Sequence, residues 1–415
     1  MMAYGSVNVP GHVPEAATTS KAGLMSAADK AKLDSLGKNL TFTGAVTGTY
    51  NGETDKTFLI PDRKGCRFIV GTSTNGWTEK DCDYLCDGTD DQVEINAAIN
   101  ALPSTGGEVV ILTGTYNISA PLSFTNQKII GEHRPSVILK RQNYSSSNFA
   151  FITLGSHSSI ENLTIDGNLG QAPDLSRELI TMKDFTGVKN CDIKNYNYVF
   201  LYTKGSNTLI SNNYFCNGLN SCIDVRYNFS LVAGNTIDNF TYSGIRCSAN
   251  CNKIINNPVT DCLTGIYCTN NSTTPGYNLI IGNYVNIGTA KYISGYTGAG
   301  NGIQLIFSGS FPDDRESGWI VDSNIIQDFT NNGISIRVNN VLVCNNLIYA
   351  NQSTANQCGI FVSGDRNNVT DNYISAAVKS ILASGDNNLI ANNLIWGKNY
   401  TNSGTGNTFV NNKYN

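Results

Sequence analysis

Asp224, Arg246, Tyr267 and Gln304 are an acid, a cation, an aromatic ring and an amide, and each directly follows the isoleucine of a recurring Gly-Ile or Cys-Ile pair. If those isoleucines point inward from strands, the residue after each points outward. The four then form one row, continued by Ser335, Phe361 and Leu382, with Arg226 and Arg337 one outward step further along their strands. Strands stacked about 4.8 Å apart bring such a row onto a single face. A ring to stack on, with guanidinium and amide donors beside it, suits an oligosaccharide groove. The plain alternative is a solvated face with one Asp-Arg pair. Glycoside hydrolysis would need two carboxyl groups roughly 5 to 10 Å apart. Asp224 is the leading acid, and Asp238, Asp261 or the acids Asp313, Asp314 and Glu316 of SGSFPDDRESGW are its candidate partners. Elimination on an acidic sugar would instead need a base near the sugar C5 and a cation to neutralise the uronate, a role open to Arg246. The candidate binding set is Arg226, Arg246, Tyr267, Gln304, Asp313, Asp314 and Glu316.

The elements that must position these groups follow from a repeat. Asn213, Asn235 and Asn257 stand 22 residues apart, Asn346, Asn372, Asn393 and Asn412 continue at 26, 21 and 19, and Asn283 and Asn324 belong to the same series. Each lies in a setting like Leu231 to Ile237, LVAGNTI, with an aliphatic pair before it and an apolar residue two after. A period of this length implies a solenoid, since one short unit buries its apolar face only against copies of itself. β-formers alternate with turn residues and helical periodicity is absent, so the solenoid is made of strands. At roughly 3.3 Å per residue, 22 residues make three short strands and three turns, one rung of a parallel β-helix. Parallel crossovers favour a right hand. Stacked rungs align the asparagines in one column and the isoleucines of Gly244-Ile245, Gly265-Ile266, Gly302-Ile303, Gly333-Ile334 and Gly359-Ile360 in another.

Only 14% of residues are charged and the net charge is -4, which argues against nucleic acid as a partner. A polar, uncharged surface with 20 Tyr and 3 Trp is compatible with sugar binding. No apolar stretch is long enough to insert in a membrane, and the start MMAYGSVNVPGHVPEA lacks the basic and apolar regions of a secretory signal. Among 12 cysteines, Cys247 and Cys268 fall two residues after column isoleucines and read as core side chains; Cys82 and Cys86 read as structural thiols, because no second pair with ligand spacing follows. His12, His133 and His157 form no cluster, so neither a metal nor a cofactor is expected.

Toward the amino terminus, residues 15–37 are rich in helix formers, and residues 40–61 alternate around a Tyr-Asn-Gly-Glu turn as a short hairpin. The phrases SKAGLMSAADKAKLDSL and FTGAVTGTYNGETDKTFLIP resemble attachment and shaft modules of phage and prophage tail fibres. Next, Thr89 and Gln92 have capping-box spacing at the start of a helix whose buried face is Ile95, Ala98, Ile99 and Leu102. The phrase DGTDDQVEINAAINALPSTGGEVVILTGTYNI resembles the N-terminal cap of pectate-lyase-like and tailspike β-helices, where it covers the open first rung. Two irregular spacings carry insertions: DGNLGQAPDLSRE after Ile165, and KYISGYTGAGN with SGSFPDDRESGW within the 41 residues from Asn283 to Asn324. Extruded loops of this kind often bear functional groups.

These resemblances imply an all-β chain: a short helical and hairpin attachment segment over 1–62, a cap with a capping helix over 63–130 and a right-handed parallel β-helix over 131–415. They imply a phage or prophage tail fibre or tailspike on the virion tail, released by lysis, trimeric, joined to a tail or baseplate protein through its amino terminus and recognising a bacterial surface polysaccharide. Depolymerisation of that glycan is the alternative. The arginine-proline signature of pectate lyases and the Gly-His-Gly of polygalacturonases are absent, so the resemblance carries over no catalytic residue.

Overall fold

The computed structural model describes residues 26–36, 40–42, 48–50, 66–142, 150–169, 177–270, 276–288, 300–307, 318–350, 357–376, 378–397 and 400–415. The chain divides into two compact units, Met1–Gly65 and Cys66–Asn415. In the first, helix Ala27–Leu36 starts behind Ser26, whose Oγ accepts the Asp29 amide at 3.0 Å and caps it. The rest of the helix expected over 15–37 lies outside the described residues. Strands Leu40–Phe42 and Gly48–Tyr50 pair antiparallel, with Leu40 opposite Tyr50. The rest of the Tyr-Asn-Gly-Glu turn expected within 40–61, beyond Tyr50, lies outside the described residues.

In the second unit each turn of the chain lays down three short parallel strands. The first strands stack into a 15-stranded sheet. The second and third form two ladders that share the long strands Thr236–Cys247 and Pro258–Asn270, and so merge into one 23-stranded sheet. This is the right-handed parallel β-helix expected from the repeat. Its interior is filled from all three sides: Val232, Ile254 and Ile280 from the first ladder, Ile237, Val259 and Val285 from the second, Ile245, Ile266 and Ile303 from the third, all essentially unexposed. Cys247 and Cys268 stack in register inside and are fully buried. Hydrogen bonding to Cys247, together with burial, pushes the Cys268 thiol well above its ordinary range.

The asparagine series marks the corner between the first and second ladders. The chain turns there in two residues, a left-handed one followed by the buried asparagine; Asn212, Gly234, Asn256 and Gly282 hold φ of 57, 65, 55 and 66°. Asn and Gly tolerate that conformation best, which explains why they dominate the position. Asn257 Oδ1 accepts both the backbone N–H and the Nδ2 of Asn235 at 3.0 Å, while its own Nδ2 donates to Val232 O. This pattern runs from Asn213 to Asn412. It includes a direct Asn283–Asn324 link of 3.0 Å, so the 41-residue interval is a single rung with its insertions. An unanticipated second series lies five residues earlier, where Asn278 and Asn407 accept the backbone N–H groups of Asn252 and Asn388.

Glycine before the third-ladder isoleucine has a steric cause. A Cβ on Gly244 or Gly265 would come within 2.3 Å of Val259 or 2.2 Å of Val285, and within 2.9 or 2.7 Å of the next rung's glycine carbonyl. The missing side chain lets the third ladder press against the core of the second.

At the amino-terminal end of the solenoid, helix Gln92–Ala101 packs on the first strands with Ile95, Ala98, Ile99 and Leu102 buried, as its periodicity predicts. The expected capping box does not form. Asp91 is the N-cap residue, and its carboxylate turns away to accept Gly88 N–H at 2.8 Å and Asn117 N–H at 2.6 Å. Gln92 reaches across to Ser119, accepting its N–H at 2.9 Å. The polar groups that could close on the helix are worth more as ties between the helix and an otherwise open rung.

Candidate functional site

The third ladder carries Ile223–Val225, the second half of Thr236–Cys247, the second half of Pro258–Asn270 and Asn301–Phe307 as successive rungs. In direct register along its outer side lie Tyr202, Asp224, Arg246, Tyr267, Gln304, Ser335, Phe361 and Leu382. The residues just before them, Leu201 and then an isoleucine on each later rung, are all buried, so the alternation alone turns this row outward. Where the two long strands run through the corner without a break, the pairing shifts between Phe240 and Ser243. Tyr242, Ser243, Leu263 and Thr264 there form one wall of a cleft of about 570 Å³. Glu178, Tyr198, Tyr202 and Arg226 bound it at the amino-terminal end, and Tyr267, Gln304 and Ile306 at the other.

Asp224 is only 2% exposed, and both its oxygens are engaged: Arg226 Nε donates to Oδ1 and a terminal guanidinium nitrogen to Oδ2, each at 2.8 Å. The Asp224 hydrogen bond holds the Arg226 guanidinium even more firmly protonated than usual. Arg226 also lies 5.4 Å over the Tyr202 ring, whose other cationic neighbour, Lys204, is at 5.5 Å. Burial pushes the Tyr202 phenol up from its ordinary value. Arg246 lies 5.9 Å over the Tyr267 ring, and its Nε is buried without a hydrogen-bond partner among the described residues. Gln304 Oε1 accepts from Asn301 Nδ2 at 3.0 Å, leaving its own amide N–H groups as the donor end.

The structure therefore brings Asp224, Arg226, Arg246, Tyr267 and Gln304 into one cleft. It does not bring Asp238 or Asp261 there. Asp238 belongs to the second ladder, in register with Cys216 and Thr260, and accepts from Thr260 Oγ1 at 2.7 Å. Asp261 occupies the left-handed corner position, φ 50°, and is exposed. A corner separates Asp238 from the row that holds Asp224, and Asp261 sits on the corner, which sequence distance alone does not reveal. Asp313, Asp314 and Glu316 lie outside the described residues. Glu178, the second carboxylate of the cleft, is an addition: it closes the insertion after Ile165, lies 4.0 Å from Lys204 and is 13% exposed. Tyr202 is a further one, found by reading the outward row one rung earlier. At the cap, Cys86, Asp91 and Glu94 place ligand-type atoms within 4.8 Å of one another. Each Asp91 oxygen already accepts a backbone N–H, and burial pushes the Cys86 thiol up, away from the thiolate a metal would need.

The cleft combines two tyrosine faces, each beneath a guanidinium, with hydroxyl and amide groups on the rim and two carboxylates at one end. Such an arrangement can stack and hydrogen-bond a sugar chain laid along the rungs.

No protein-family model matches the chain, and no curated protein matches it. Solved structures do. The Dettilon tailspike protein superposes with a TM-score of 0.58 at 17% identity, over 78% of this chain and 66% of that one. The tailspike of E. coli bacteriophage HK620, solved as a mutant in complex with a pentasaccharide, superposes with a TM-score of 0.50 at 14% identity, over 75% and 63%. The chain spans less than two thirds of the length of each of these tailspikes. In fold, this chain is a tailspike-like right-handed parallel β-helix.

Proposed function

We propose that the chain is the receptor-binding tailspike or tail fibre of a phage or prophage-derived particle, and that the third-ladder cleft holds a bacterial surface glycan. The observation that carries this is the outward row itself: Tyr202 and Tyr267 lie in the same cleft under Arg226 and Arg246, with hydrogen-bonding groups around them. A solvated face has no need of a 570 Å³ concavity floored by aromatic rings. The tailspike-like fold supports the reading, and the HK620 tailspike was itself solved with a pentasaccharide. In this reading residues 1–62 attach the protein to a tail or baseplate, 63–130 cap the solenoid, 131–415 form the glycan-binding β-helix, and three copies assemble on the virion tail. The test is binding of the full chain to purified surface polysaccharides. Tyr267→Ala should lose about 1–2 kcal/mol of affinity with little change in Tm. Equal binding by parent and variant would place the glycan elsewhere.

One observation favours depolymerisation as a second reading: Glu178 and Asp224 line the same cleft. Glu178 is the freer of the two, because Asp224 is held by Arg226. New reducing ends from a bound polysaccharide, lost in Glu178→Gln with binding kept, would establish it.

A further inference from the structure

The polar groups of the cleft floor are unequally used. Asp224 is the one carboxylate in the outward row between Tyr202 and Gln304, and Arg226 occupies both of its oxygens in a fork at 2.8 Å. Its register neighbour Arg246 receives nothing from it. Among the described residues Arg246 has the Tyr267 ring beneath it and no carboxylate or carbonyl partner, and its Nε is shielded from water. A guanidinium keeps its proton under all ordinary conditions, so this is a fixed positive charge with an unmade hydrogen bond. Two rungs further on, Gln304 has its carbonyl taken by Asn301, which leaves an N–H donor as its free end. From Arg246 to Gln304 the floor offers a charged donor and an amide donor, with hydroxyls that both donate and accept as its other polar groups, and no carboxylate. Glu178, at the other end of the cleft, has Lys204 as its cation at 4.0 Å.

A neutral sugar presents hydroxyl groups that both donate and accept, and would be served equally by acceptors. A planar carboxylate accepts in two parallel bonds and matches the guanidinium fork. We infer that the cleft selects a glycan bearing a carboxylate sugar, a uronate or its like, with the carboxylate on Arg246 and the pyranose ring stacked near Tyr267. This rests on the glycan-binding reading of the cleft and names its substrate class. Arg246 is then the specificity-determining residue, Gln304 a second donor to the same acidic unit, and the Asp224–Arg226 pair a neutral partition that neither repels the carboxylate nor competes for it.

The experiment uses the full chain and a panel of purified bacterial capsular and O-antigen polysaccharides, some containing uronates and some neutral. Each acidic polymer is also presented after chemical reduction of its carboxyl groups, and a phosphate-bearing polymer without uronate is included. The expected result is binding to uronate polymers that falls at least ten-fold on carboxyl reduction and weakens with added salt. Arg246→Gln should fall by the same factor, and Arg246→Lys should lie between, because it keeps the charge and loses the fork. Gln304→Ala should weaken binding less, and a fold check by melting separates each effect from unfolding. Tight binding of neutral or carboxyl-reduced glycan, unaffected by Arg246→Gln, overturns the acidic preference and leaves the glycan reading standing. Binding of the phosphate polymer in place of the uronates also overturns it. Failure of every polymer, acidic and neutral, overturns the glycan reading along with it.

Discussion

Asp224 is committed to Arg226 before any ligand arrives, and that limits what its carboxylate can do. An acid whose two oxygens both face a guanidinium is a poor base and a poor nucleophile, but a good device for fixing the position of an arginine over a tyrosine. Asp224→Asn keeps the shape, removes the charge and leaves Arg226 with a weaker partner. A loss of about 1–3 kcal/mol in stability is expected, measured by denaturant unfolding, smaller than for a fully buried pair because Arg226 is partly in water. The same substitution frees positive charge in the cleft, so affinity for an acidic glycan should hold or rise. A large loss of affinity would mean that Asp224 contacts the sugar directly.

At the scale of elements, the corner between the first and second ladders divides its work between two adjacent residues. The left-handed residue needs only a tolerant backbone; the asparagine after it needs every polar atom it has. Asn256→Gly should therefore be nearly neutral, since Gly234 and Gly282 hold the same conformation on the rungs to either side. Asn256→Val should cost about 1–2 kcal/mol, the penalty of a left-handed branched residue. Asn257→Ala strands Asn235 N–H and Val232 O in a dry interior and should cost about 2–4 kcal/mol. Unfolding midpoints of the three variants give the ranking, and a neutral Asn257→Ala would refute the ladder's energetic role. The strand register has its own probe. Cys66 is exposed and should react with a thiol reagent at once, whereas Cys247 and Cys268 should react only on unfolding, and valine should replace either with small effect. Rapid native labelling of those two would mean a one-residue slip of the third ladder.

For the whole molecule, stability comes from rung-on-rung contacts, and the unit Cys66–Asn415 contains its own cap and core. Removal of residues 1–65 should leave that unit folded with an unchanged far-ultraviolet β signature, while abolishing any attachment the amino terminus makes. Light scattering of the full chain should give three times the monomer mass, and the truncated chain should dissociate more readily on dilution. A full chain that stays monomeric at micromolar concentration would rule out the trimer.

The parallel solenoid, its period and the inward or outward sense of each third-ladder residue follow from local rules. Asparagine and glycine recur because each corner needs a left-handed residue and a buried amide, and strand alternation then assigns Asp224, Arg246, Tyr267 and Gln304 to one face. These are short-range constraints repeated many times, so they can be read from a single chain. What the repeat does not encode is which groups meet across a corner or across rungs laid down far apart. Asp238 is near Asp224 in sequence yet faces another side. Glu178 is distant in sequence yet shares the cleft, and Gln92 abandons its helix for Ser119. The pairing of Asp224 with Arg226 rather than with Arg246, which leaves one arginine open to a ligand, depends on side-chain directions that exist only once the rungs are stacked.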